Sequence, residues 1–134
     1  MPQFLTISKE QICAWSSVGV CGRQYTALLA LLAGCLDKRI AAVFEEEPLT
    51  SWSSLAWNRD YAWGVDVVLP GALEHFDLAD VRSAIAPRKL TIRQPLDHHQ
   101  KPLSPEAVRV EFAQVRRAFE SAGADGNLTI SAGP

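Results

Sequence analysis

Two apolar runs of different character start the βα pattern of this chain. Ser17-Val18-Gly19-Val20-Cys21 is short, apolar and β-prone, and Gly22 turns the chain after it. Residues 26–36 follow as a helix of Leu, Ala and Cys. Leu28, Leu29, Leu31, Leu32 and Leu36 leave it no polar face, which predicts a helix buried on more than one side. After the polar link Asp37-Lys38-Arg39, Ile40-Ala41-Ala42-Val43-Phe44 is continuously apolar, not alternating. A strand covered on both faces of a parallel sheet reads this way. Residues 18–44 therefore predict one βαβ unit with a right-handed crossover.

Glu45-Glu46-Glu47-Pro48 closes that strand, and residues 49–70 show no clear period while carrying Trp52, Trp57, Tyr61 and Trp63. Residues 71–75 predict a short helical turn. Asp77 is placed to cap a helix over 78–85, with Asp80 in its first turn and Pro87 as its stop. Lys89-Leu90-Thr91-Ile92-Arg93 predicts a third strand, followed by a polar loop over 95–103. Ser104-Pro105-Glu106 is a strong helix start. Val108, Phe112, Val115 and Phe119 then form one apolar stripe, with Gly123 as the residue past the helix end. Leu128-Thr129-Ile130 begins a last strand. Residues 1–16 remain an uncertain N-terminal segment, with a weak helical pattern over 8–15 capped by Ser8. The order predicts a single α/β domain: a mostly parallel sheet of about four strands, with helices on both faces.

Composition narrows the function classes. With 134 residues, 48% of them hydrophobic and 21% charged, the chain has the size and content of one globular domain. A net charge of -2 offers no footprint for nucleic acid or an anionic membrane. No apolar run reaches the ~18 residues of a membrane span. Met1-Pro2-Gln3-Phe4 lacks a charged segment leading into an apolar one, so no secretory signal is expected and the compartment stays open. Cys13, Cys21 and Cys35 are odd in number and lack C-x-x-C spacing, which predicts neither a disulfide framework nor a zinc site. Cys21 and Cys35 read as small buried hydrophobes. No cofactor or metal is indicated.

In a parallel sheet, chemistry sits at the carboxyl ends of strands. Gly22-Arg23-Gln24-Tyr25-Thr26-Ala27 has the strand, first glycine and helix of a G-x-S-x-G elbow, the sharp turn that lifts a nucleophile onto a helix N-terminus. Its nucleophile position holds Gln24, and a carboxamide does not attack a carbonyl. Thr26 stands at the second glycine and is expected to loosen the turn. Glu45, Glu46 and Glu47 read first as a solvated strand end, with substrate polarisation or metal binding as the alternative. Asp97-His98-His99 reads first as a solvated loop. Adjacent Asp97 and His98 do not face each other as an Asp–His pair requires, and no third zinc ligand has suitable spacing. The tryptophans read as core or lid packing before carbohydrate stacking. In a rival register, Gly19-Val20-Cys21-Gly22 offers Cys21 as a thiol nucleophile, although Arg23 then stands where the second glycine belongs.

Four stretches together resemble the C-terminal half of bacterial α/β hydrolases of the acetylxylan-esterase-like group. Gly22-Arg23-Gln24-Tyr25-Thr26-Ala27-Leu28-Leu29-Ala30-Leu31 resembles the elbow and its helix. Leu36-Asp37-Lys38-Arg39-Ile40-Ala41-Ala42-Val43 resembles the next strand with its polar lead-in. His75-Phe76-Asp77-Leu78 through Ile85-Ala86-Pro87-Arg88-Lys89-Leu90 resembles the helix and strand start before the acid. Gln94-Pro95-Leu96-Asp97 is similar to the loop bearing that acid. The likeness runs over residues 18–134. It implies an incomplete hydrolase-type sheet, Gln24 in the nucleophile position, Asp97 as the triad acid, and Gly22, Arg23 and Tyr25 as binding positions. The histidine is expected after residues 128–130, and nothing through Gly133-Pro134 matches it. The implied substrate is a small ester or acylated carbohydrate, and the chain is expected to be inactive alone. The alternatives are a non-catalytic binding or self-associating module, joined to another copy through an exposed sheet edge, and a Cys21-dependent hydrolase.

Overall fold

The computed structural model describes residues 17–133. The helical pattern over 8–15 and Cys13 lie outside the described residues. Strands β1 (Val18–Arg23), β2 (Ile40–Glu46), β3 (Lys89–Arg93) and β4 (Leu128–Ser131) form one sheet in that spatial order, every neighbouring pair parallel. The helices are α1 (Tyr25–Leu36), α2 (Trp52–Trp57), α3 (Leu78–Ser83), α4 (Pro105–Glu111) and α5 (Ala113–Ser121). The α/β class expected from the sequence is the class observed.

Local chemistry explains most of these boundaries. The Asp77 carboxylate accepts from the Leu78 N–H and closes a capping box with Asp80. It also accepts from the Trp52 and Ser53 N–H groups, so one side chain serves the N-termini of both α2 and α3. Ser104 caps α4 through the Ala107 N–H, with Pro105 in its first turn. Gly123 takes the left-handed conformation (φ 67°) just past α5. The apolar stripe Val108, Phe112, Val115 and Phe119 is buried throughout, but the expected single helix is broken at Phe112 (φ -101°, ψ 12°) into α4 and α5. Helix α2 was not legible from the unperiodic stretch that contains it.

The expectation of helices on both faces is corrected. Each crossover advances one strand in the same direction, and right-handed crossovers of that kind stack on the same side. The burial pattern agrees. Register partners Val43 and Leu90 are buried, and so are Glu45 and Ile92. Their apolar members share one core with Leu28 and Leu31 of α1, Val81 of α3, Ile85, and Val115 and Phe119 of α5. The alternate row Cys21, Phe44, Thr91 and Thr129 is in register across all four strands and is exposed or half-buried. Among the described residues this second face carries no helix.

Helix α1 is corrected in the same sense. Ala27, Leu28, Ala30, Leu31 and Gly34 are buried, whereas Leu29 is 48% and Leu36 85% exposed. Gly34 lets the helix lie close on β2, since a Cβ there would stand 2.3 Å from a Val43 methyl. The Arg88 guanidinium ties the α1–β2 link to β3 by donating to the carbonyls of Gly34 and Ile40 at 2.7 and 2.8 Å.

Candidate functional site

Three strand ends lie side by side at the carboxyl edge of the sheet. The first residue past β1, β2 and β3 is Gln24, Glu47 and Gln94. Each has a positive φ, of 51°, 50° and 52°. Each donates its N–H across to the neighbouring strand: Gln24 to the Glu46 carbonyl, Glu47 to Arg93, Gln94 to Ser131, all at 2.8 Å. A side chain held in that backbone region costs about 1–3 kcal/mol, and such strain gathers at sites where geometry matters. Here it recurs three times in a row.

The corner after β1 is the sharpest of the three. Gln24 has φ 51° and ψ -113°, and α1 starts at the next residue. Gly22 is required there, because a Cβ would lie 2.1 Å from the Thr26 carbonyl oxygen. Thr26 does not loosen the turn as expected. Its hydroxyl accepts from the Arg23 N–H at 2.8 Å and donates to the Arg23 carbonyl at 2.9 Å, stapling the corner shut. So the backbone is a strained strand-to-helix elbow with Gln24 at its apex, and the apex side chain carries no nucleophilic atom.

Glu47, read as part of a solvated strand end, joins this corner. One of its carboxylate oxygens accepts from Arg23 Nε at 2.9 Å and from Gln24 Nε2 at 3.3 Å. The Arg23 hydrogen bond is the main cause holding the Glu47 carboxyl below its ordinary value of 4.5, with Gln24 contributing less. Tyr25 is 39% exposed in the first turn of α1.

The neighbouring Glu45 corrects the same expectation more strongly. It is fully buried, and Arg82 of α3 donates to both its oxygens at 3.0 Å. Arg82 also donates to the carbonyls of Leu49 and Thr50 at 2.7 Å, with its guanidinium 5.4 Å from the centre of the Phe112 ring. This pair is bidentate, desolvated and satisfied, the form in which a buried ion pair is tolerated. Glu46, half-buried on the opposite face, pairs with Arg93. Three consecutive acids thus have three separate partners, and among the described residues no group of His, Cys, Asp and Glu is placed to hold a metal.

Asp97 lies in the loop after β3, but its carboxylate is committed locally. It accepts from the N–H groups of His99 and Lys101 at 2.8 and 2.9 Å, the pattern of an Asx turn. Trp63 Nε1 donates to the Asp97 carbonyl, and the Ala62 N–H donates to His98. The indole that pins this loop is buried, as is Trp52, whereas Trp57 is 87% exposed. The His98 and His99 rings lie against each other at a tilt of 46°, ring centres 4.2 Å apart. The structure brings Gly22, Arg23, Gln24 and Tyr25 together. It shows no hydrogen bond from Asp97 to that corner among the described residues.

The two cysteines correct their reading as buried hydrophobes. Cys35 is half-buried, and Cys21 is exposed on the open face within β1. Cys21 lines a cavity of about 340 Å³ with Gly22, Arg23, Thr26, Phe44 and Glu46. It stands inside a strand, three residues before the elbow's apex, so no helix N-terminus begins beside it. Arg82 is the site-shaping residue that sequence reading missed, and Glu47 was weighed only as part of the acidic strand end, not as a partner of the corner. Arg82 had a signal: it falls on the buried stripe Leu78, Val81 and Arg82 of its own helix, which Ile85 continues just past the helix end. No helix among the described residues is long and apolar enough to cross a membrane. Compared with family models, with curated proteins and with solved structures, the chain finds no significant match.

Proposed function

We propose that this chain is a hydrolase-like module, related to carboxylic-ester hydrolases, that retains the nucleophile elbow without a nucleophile. The observation that carries this reading is the Gln24 backbone. A non-glycine residue with φ 51° and ψ -113°, clamped between an obligatory Gly22 and the start of α1, has the strained strand-to-helix geometry that serves to present an attacking group. Holding a carboxamide in that position gives the corner no covalent chemistry. Where a triad lacks its nucleophile, positioning and hydrogen bonding alone leave activity several orders of magnitude lower. The Asp97 carboxylate, bound by its own loop, is not oriented toward a base at the elbow by any hydrogen bond among the described residues. A small acyl ester, including an acylated carbohydrate, is the ligand class this reading implies.

The test is hydrolysis of a short-chain acyl ester by the wild-type chain, by Asp97→Asn and by Cys21→Ala. All three are expected to match the uncatalysed rate. Turnover that disappears in Cys21→Ala would establish a thiol hydrolase instead. Turnover that disappears in Asp97→Asn would show a working acid, and either result would overturn the non-catalytic reading.

A further inference from the structure

We infer that the open face of the sheet is a docking surface for residues 8–15 of this same chain, which form a short helix that seats Ile12 and Trp15 over β1 and β2. The face is not uniform. Gly19 and Cys21 of β1, with their register partners Ala42 and Phe44 of β2, make its apolar patch. On β3 the same rows continue as Lys89 and Thr91, and above the patch stand Arg23 and Glu46. Gly19 has no side chain and Ala42 only a methyl, 3.6 Å from where a Gly19 Cβ would stand. The lower part of the patch is therefore a hollow beside Phe44. Cys21 is exposed and Phe44 half-buried, although the strands of a parallel sheet are ordinarily covered on both faces.

Size and connection select the occupant. The patch is two strands wide and two rows deep, about 5 by 7 Å between Cα atoms. That is room for two large side chains, and far below the ~800 Å² per partner of a stable interface between separate chains. The chain enters β1 at the lower corner of the patch, since Ser17 precedes the strand and Gly19 is its second residue. A segment tied on by so short a link meets the patch at an effective concentration of about millimolar or more, which a second copy in dilute solution does not reach.

The sequence of the segment fits the patch. Ser8 and Gln11 have the spacing of a capping box, and Ile7 and Ile12 that of the hydrophobic staple around it. Residues 9–15 then give a helix about 10 Å long. Ile12 and Trp15, three positions apart, share one side of it, and Glu10 falls on the other. Ser16-Ser17 is a link of ordinary length between a helix and a strand. A helix running back antiparallel to β1 sets Trp15 over the hollow at Gly19 and Ala42. It places Ile12 about 4.5 Å further along, over Cys21 and Phe44. Docked in this way, the segment shields the Cys21 thiol. This inference does not depend on the hydrolase reading.

The experiment is NMR of the full chain, with a mixture of isotope-labelled and unlabelled protein to separate contacts within a chain from contacts between chains. Nuclear Overhauser contacts are expected from the Trp15 indole to the Ala42 methyl and from the Ile12 methyls to the Phe44 ring, all within one chain. Pulse labelling with N-ethylmaleimide, read by peptide mapping, is the second arm. Cys21 should react about tenfold or more slowly in the wild type than in the double variant Ile12→Asp, Trp15→Asp, the least that burying two large apolar side chains should give. The Cys35 rate should be the same in both proteins. Contacts of Trp15 with Leu29 or Leu36 of α1, contacts found only between chains, or no contact with the sheet would each overturn the proposal. So would a Cys21 rate equal in the two proteins, or an acceleration shared by Cys35.

Discussion

The helix-covered face of the sheet and the corner that ends β1 are built on opposite terms. On the covered face even a buried carboxylate is matched, because Glu45 receives two hydrogen bonds from Arg82 and lies in a core with Val43, Leu90 and Ile92. At the corner the backbone is strained at Gln24 and the polar contacts, Arg23 to Glu47 to Gln24, are exposed or only partly buried. The first region accounts for why the chain folds. The second stores a cost that folding alone does not require, and such costs point to inherited or present function.

The sharpest way to break this contrast is at Arg82. Arg82→Ala leaves Glu45 charged, buried and unpaired, and should lower unfolding free energy by about 3–5 kcal/mol in urea titration. Changing both partners, to Met at 82 and Leu at 45, should recover only part of that loss, since the Leu49 and Thr50 carbonyls still lose their donor. A small effect from Arg82→Ala would mean that the covered face is not the stable half. Gly22→Ala tests the corner. The added methyl meets the Thr26 carbonyl, so a loss of about 1–3 kcal/mol is expected, with exchange of the Arg23 amide speeding up as the Thr26 staple opens.

Smaller effects read the exposed ion pairs. In Arg23→Gln the Glu47 carboxyl should titrate higher than in the wild type, toward its ordinary value, with stability barely changed. The Asp37 carboxyl is lowered from 3.8 to about 2, chiefly by its hydrogen bond from Arg39. For a depressed carboxyl the stabilisation is fully present above the unfolded value and is lost as pH falls through the folded one. The contribution of Asp37 should therefore fade between about pH 4 and pH 2, and Arg39→Ala should flatten that part of the pH profile. Carboxyl titration by NMR checks both.

What the sequence disclosed was local. The capping roles of Asp77, Ser104 and Gly123 follow from chemistry within a few residues, and the continuous run Ile40-Ala41-Ala42-Val43-Phe44 marked a strand of a parallel sheet. The same run was misread as evidence of cover on both faces, because the second face depends on strand order, which no local pattern encodes. Glu45 and Glu47 are two residues apart and alike as letters. One is buried because Arg82 reaches it from 37 positions away, and the other sits at a corner whose apex lies 23 positions back. The corner was legible as a strand-turn-helix motif with Gln24 at its apex. That its backbone keeps the strain regardless was not, since torsion angles are invisible in composition. Thr26 was read as a defect and proved to be a staple, because its hydroxyl reaches both the N–H and the carbonyl of Arg23.

The central claim is that Gln24 is held at a strained apex, and the most direct test compares Gln24→Gly with Gln24→Ala by urea unfolding. In ordinary helical or extended backbone glycine is less stable than alanine by about 0.5–1 kcal/mol. At φ 51° and ψ -113° the order should reverse, with the glycine variant the more stable by about 1 kcal/mol and the slope unchanged. Alanine equal to glycine or better would show an unstrained corner and contradict the reading of a retained elbow.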